Sequence, residues 1–177
     1  MVWRIVRAIL ILPVSVVVIP ALLVMGSEAA GLAVGWVGLA APVFWLAALL
    51  AVAGVALAGW TVRPLFADGP SLSALVDARG RLVVRGPYRH VRNPMVCAGV
   101  LLLAAEALML HAWPVAIWLA VFYMANSIYV MGVEERGLER RLGAGWRRYK
   151  AHVPRWFPSP VGYDPDDERR AAQGGRG

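Results

Sequence analysis

The sequence predicts an all-α integral membrane protein with four transmembrane helices, and three observations carry that prediction. Hydrophobic residues fill 59% of the 177 positions and charged residues only 16%, whereas an average soluble domain is roughly a quarter charged. No Lys, Arg, Asp or Glu occurs between Arg7 and Glu28, or between Glu28 and Arg63. An uncharged apolar run of about 18 residues is long enough to cross a bilayer as a helix. Finally, with four spans, all 18 Lys and Arg residues fall on one side: two at the N-terminus, six between Val62 and Asn93, and ten after Val133. The positive-inside rule makes that side, with both termini, cytoplasmic; the expected location is a plasma membrane of the bacterial inner type.

The elements follow in order. The first span covers about 5–25, where Pro13 and Pro20 remove backbone donors, so that neighbouring helices must satisfy the freed carbonyls. It exceeds a secretory h-region and is followed by no small-residue cleavage site, so it reads as a retained helix. Residues 29–62 are uncharged for 34 positions. That is too short for two crossings and a turn, and predicts one long or tilted helix, about 33–60, bent near Pro42. The third and fourth spans, about 94–110 and 114–133, are joined by the tight segment His111 to Pro114 and form an antiparallel hairpin. Gly31 with Gly35, and Gly54 with Ala58, are small pairs suited to close helix packing. Trp3, Trp36, Trp60 and Trp113 fall near predicted helix ends, as an interfacial belt requires. Glu106, the one acidic residue inside a predicted span, lies about one turn from His111 and reads as a carboxylate reaching the far interface. Residues 1–162 read as one domain, and 163–177, rich in Asp, Arg and Gly, as a disordered tail.

Several function classes drop out. The net charge of +7 comes from segments flanking apolar runs, which points to a membrane surface and not to nucleic acid. Cys97 is the single cysteine, so there is no internal disulfide. His90, His111 and His152 are far apart and lack metal-site spacing. No glycine-rich loop of the soluble nucleotide-binding type follows a strand.

Polar residues concentrate in two blocks, Arg81 to Gly99 and Glu134 to Phe157. If the last two spans form a hairpin, the blocks meet at one membrane face. Arg89, His90 and Arg92, near a helix start at Pro94, then oppose Glu134 and Glu135. A helix N-terminus favours an anion, while carboxylates hold an ammonium or ribose hydroxyls. The pair suits a zwitterionic ligand with an additional positive centre. Mutually balancing juxtamembrane charges would look the same.

The two blocks resemble the isoprenylcysteine carboxyl methyltransferase and phospholipid N-methyltransferase family of small membrane enzymes. In the first block the resemblance rests on Gly86, Tyr88, Arg92, Asn93, Pro94 and Gly99. In the second it rests on Glu134, Glu135, Leu138, Leu142, Gly143, Trp146, Tyr149, Val153, Pro154 and Arg155. It covers about residues 80–158. The resemblance implies S-adenosylmethionine as cofactor, bound at the cytoplasmic ends of the last two helices. It implies cofactor contacts at Leu82, Val83, Tyr88, Arg92, Asn93, Pro94, Met95 and Glu134, with Glu135 as a further candidate. Asn93 replaces a family His and Val96 a family Tyr. No catalytic base and no metal are assigned. The implied acceptor is a lipophilic or small thiol, carboxyl or amine, entering between helices. Tyr123, Ser127 and Glu134 share a helix face by spacing, which suits either interhelical hydrogen bonding, the preferred reading, or the lining of that path. The rival readings are a non-catalytic protein of the same fold, a small four-helix transporter and a nicotinamide-dependent membrane reductase.

Overall fold

The computed structural model describes residues 12–32, 34–67, 82 and 84–165, with side chains of 64–67 left aside. Among these residues the secondary structure is helical, with no β-strand. A π-helical turn, Val14–Val18, leads into α1 (Ile19–Ala29). It is followed by α2 (Pro42–Ala67), α3 (Pro94–Met109) and α4 (Trp113–Tyr129). A second π-helical turn, Val130–Glu134, leads into α5 (Glu135–Leu142), and α6 (Ala144–His152) closes the order. Two stretches are long and apolar enough to cross a membrane, Pro42–Arg63 with mean hydropathy 2.2 and Trp113–Leu142 with 1.6; Val14–Ala29 and Pro94–Met109 are shorter apolar helices.

The chain divides into two compact units, one from residues 1–59 and 95–130, the other from 60–94 and 131–177. The first unit is built on apolar packing: Val16, Leu103, Ala112, Val115 and Phe122 are buried together. Gly99 lets Phe122 approach α3, since a Cβ there would lie 2.8 Å from the ring carbon Cζ. A side chain at Gly54 would likewise meet Leu102 at 2.8 Å. Between α3 and α4 the chain reverses at His111, whose φ of 47° is left-handed, a conformation that His tolerates better than most residues. The Ala112 N–H then closes onto the Ala107 carbonyl at 3.1 Å.

The expected proline defect in the first apolar helix takes a specific form. Across the π turn each N–H reaches five residues back, as Ile19 does to the Val14 carbonyl. Pro20 has no N–H to give to Ser15 in the same register. The Trp118 indole N–H of α4 donates there instead, at 2.8 Å. A carbonyl orphaned by sequence is thus satisfied by tertiary structure.

Pro42 does not bend a helix running from about 33; it begins one. Residues 34–38 take no regular secondary structure, and the N–H groups of Gly35 and Val37 donate to the carbonyls of Leu110 and Met109 at 3.1 and 3.0 Å. These are orphan carbonyls at the C-terminus of α3, and capping them outweighs continuing α2 backwards through Gly38 and Gly35. Proline suits a first helical turn because its missing N–H has no partner there. Glu106 also departs from expectation: it is half-buried, and its Oε2 is shielded with no hydrogen-bond partner. Tyr123 is exposed while Ser127 is buried, so the two do not share a surroundings, and the π turn re-phases the helix before Glu134.

Trp118→Phe is expected to destabilise the protein by about 1–3 kcal/mol, the cost of stranding a buried carbonyl, read as a lowered thermal midpoint in detergent. An unchanged midpoint would show that Ser15 finds another donor.

Candidate functional site

The second unit begins with a tight turn. Gly86 has φ of 54°, which a residue with a side chain adopts at a cost. The turn Gly86–Arg89 then closes through the Tyr88 N–H to the Arg85 carbonyl at 3.2 Å and the His90 N–H to Pro87 at 3.0 Å. Its other wall is the α5–α6 pair, which folds back on itself at Gly143, φ 52° and ψ −120°. Between them Val84, Trp146, Tyr149 and Val153 are buried, with Leu82, Tyr88, Leu138, Leu142 and Tyr163 packed against them. The Tyr149 hydroxyl donates to the Tyr88 carbonyl at 2.8 Å, tying wall to turn.

An ionic knot lies beside this core. The Glu135 Oε1 accepts from Arg92 Nη1 at 2.7 Å and from Arg155 Nε at 2.8 Å, and Oε2 accepts from Arg155 Nη2 at 2.9 Å. Arg92 also donates through Nε to the Val153 carbonyl at 2.8 Å, and its backbone N–H donates to Pro154 at 2.9 Å. The Asn93 amide reaches the Arg155 carbonyl at 3.4 Å. Arg92 and Glu135 are both buried. Burial lowers the Arg92 guanidinium from its ordinary value and the Glu135 carboxylate opposes that shift.

Glu134, one residue earlier, is half-buried at the end of the π turn. Its charge is felt by Tyr88: burial first, and the Glu134 carboxylate second, push the Tyr88 phenol above its ordinary range. Glu135 is thus held by two arginines, and the charge of Glu134 acts on the tyrosine of the turn. The Trp146 indole N–H, in the wall of the same core, is buried without an acceptor.

Of the residues singled out in sequence, Leu82, Tyr88, Arg92, Asn93, Pro94, Glu134 and Glu135 all fall in this unit. Val83 lies outside the described residues. Met95, half-buried in the first turn of α3, belongs to the first unit. Arg92 meets a glutamate as its position suggested; Arg89 and His90 do not. Arg89 pairs with Asp164 at 3.1 Å and donates to the Tyr163 carbonyl at 3.2 Å, while the His90 Nδ1 lies 2.8 Å from the Ser159 carbonyl. Tyr163 stacks on His152 with centroids 5.2 Å apart, so the segment expected to be a tail from Tyr163 is anchored through Asp164. Aromatic packing and an ion pair outweigh its polar composition. Arg155, quoted only within a pattern, proves central; the excess of arginine over nearby carboxylate was the available signal.

Apolar helices of spanning length and a separate polar unit knotted by buried charge define a small membrane-associated helical protein. The phospholipid methyltransferase family matches residues 42–145, more than half the chain, and the chain belongs to that family, a family of membrane methyltransferases. No curated protein and no solved structure matches it. Among the described residues no group of three or more His, Cys, Asp or Glu is placed to hold a metal ion.

Two outcomes are expected here. Glu135→Gln should cost about 3–5 kcal/mol of stability, because two guanidiniums lose the anion that compensates their burial, measured by denaturant melting. Burial first, then Tyr88, holds the Tyr149 phenol well above the ordinary range. A raised folded value means that this stabilisation is complete below the unfolded tyrosine value of about pH 10 and fades as pH rises beyond it. Tyr149→Phe should cost about 1 kcal/mol at neutral pH and flatten the alkaline limb of a stability–pH curve.

Proposed function

We propose that the protein is an S-adenosylmethionine-dependent methyltransferase acting on a lipophilic acceptor. What supports this reading is membership of the phospholipid methyltransferase family, together with Glu134 lying in the same unit as Tyr88 and near enough for its charge to act on that phenol. Family membership supplies the reaction class. The residues fit such a cofactor chemically: a carboxylate suits the ammonium or the ribose hydroxyls, a neutral phenol and the Asn93 amide offer further hydrogen bonds, and the orphaned Trp146 N–H is a donor awaiting an acceptor. Leu82, Val83, Tyr88, Arg92, Asn93, Pro94, Met95 and Glu134 form the cofactor set in this proposal. Glu135 acts as a positioning residue that holds Arg92 and the 153–155 segment.

When bound, the cofactor supplies a methyl group on a sulfonium, an electrophile that needs an in-line nucleophile and little else. The protein's part is therefore to orient and to exclude water. Tyr88 and Tyr149, kept neutral by burial, line the turn without adding charge that would compete for the sulfonium. A thiolate or carboxylate acceptor requires no base, and no residue is assigned that role. The proposal includes four spans, the last two a hairpin, with the polar unit and both termini cytoplasmic. A polar cofactor then arrives from water while a lipid-like thiol, carboxyl or amine acceptor enters sideways from the bilayer.

The test is calorimetric titration of the detergent-purified protein with S-adenosylhomocysteine. Wild type should bind saturably, and Glu134→Gln should raise Kd about tenfold, the order of one charged hydrogen bond, with an unchanged melting midpoint. No binding by folded, monodisperse wild type would overturn the proposal. Equal binding by Glu134→Gln would remove Glu134 from the cofactor set.

A further inference from the structure

The second unit carries more cationic charge than its own fold uses. Arg89, Arg92 and Arg155 are engaged internally, and Lys150 pairs with Glu139 at 3.8 Å across the α5–α6 fold. Arg136, Arg140, Arg141, Arg147 and Arg148 are exposed, and no guanidinium of theirs makes an ion pair or hydrogen bond among the described residues. They cover the two short helices on the side away from Leu138, Leu142, Trp146 and Tyr149, which pack inward. Five unneutralised guanidiniums on 17 residues of helix is a surface that repels itself unless an anion covers it.

A second observation fixes the kind of anion. The same unit presents large apolar side chains to solvent: Phe157 is 82% exposed and Val161 77%. They lie on a loop held firmly in place, for the Ser159 N–H donates to the His90 carbonyl at 2.8 Å and Gly162 lies against the His90 ring. The ring of His90 in turn packs on Trp60, centroids 6.2 Å apart. Trp60 is near the end of the apolar stretch Pro42–Arg63, where tryptophan marks a membrane–water boundary. The loop is therefore pinned at the depth where α2 leaves the apolar layer. Arg136 follows the apolar run ending at Val133 by three residues, roughly 4.5 Å of helix rise. Soluble phosphate or nucleic acid would account for the arginines and leave the exposed Phe157 unexplained; a lipid surface accounts for both.

We propose that this unit docks on the anionic lipid surface of the membrane, with Phe157 and Val161 inserted among the headgroups and the five exposed arginines on lipid phosphates. Docking holds the unit against the bilayer independently of the spanning helices, and concentrates acidic phospholipid around it.

The full-length protein tests this in a Cys97→Ser background, with Phe157→Cys carrying an environment-sensitive fluorophore, in nanodiscs of phosphatidylcholine with or without phosphatidylglycerol. The expected result is a blue-shifted emission, quenched by lipids spin-labelled near the headgroup. The quenching should be stronger with phosphatidylglycerol and weaker in about 1 M salt, where screening reaches a few Å. Replacing Arg140, Arg141, Arg147 and Arg148 by Gln should lower the retention of phosphatidylglycerol over phosphatidylcholine at least about fivefold. An unchanged S-adenosylhomocysteine titration in that variant would show that its fold and the cofactor reading stand apart from this result. Water-like emission in both lipids would overturn the proposal. So would retention of phosphatidylglycerol unaffected by the four substitutions, or an emission that shifts only when nucleic acid is added.

Discussion

Glu135 shares one negative charge between Arg92 and Arg155, and through them it fastens three stretches of chain that are distant in sequence: the approach to α3, the start of α5, and the Val153–Arg155 segment. Buried ion pairs contribute little net stability, because desolvation consumes most of the Coulombic gain. Their value is in specificity. With Arg92 buried, any arrangement that leaves its guanidinium without Glu135 is costly, so alternative registers of the turn against α5 and α6 are disfavoured. The Tyr88–Tyr149 hydrogen bond and the aromatic core then form on a frame already fixed in register.

The same knot divides the labour between neighbouring glutamates. In a regular helix consecutive residues point about 100° apart, and the π turn Val130–Glu134 places the pair so that one enters the knot and the other stands by the Tyr88 turn. π-helical turns inside longer helices often occur at functional positions. Here the turn lies where the apolar helix becomes polar.

The two π turns show one physical theme from opposite sides. At Val14–Val18 the altered register leaves the Ser15 carbonyl without a backbone donor, and Trp118 of another helix supplies one. In an apolar environment such a repair matters more than in water, because no solvent can take the indole's place. At Val130–Glu134 the altered register serves side-chain direction. The arginines of α5 and α6, by contrast, point outward from a core that does not need them, and they give the unit a face that favours acidic surroundings.

Much of this protein was legible from the sequence by itself. The long uncharged runs set an all-helical, membrane-type architecture, because a backbone in hydrocarbon must satisfy its own hydrogen bonds. The two polar blocks, with Tyr88, Arg92, Pro94 and the Glu134–Glu135 pair, marked the family, since motif residues act locally and survive translation into one dimension. Tertiary structure decided what depends on partners remote in sequence. It joined Arg92 and Arg155 to Glu135, turned Arg89 and His90 toward Tyr163 and Ser159, and anchored Tyr163 where composition suggested a tail. It also started α2 at Pro42, because Gly35 and Val37 before it cap the carbonyls of α3. Periodicity and charge counts report what each segment prefers alone; hydrogen-bond satisfaction and charge pairing are settled only when the segments meet.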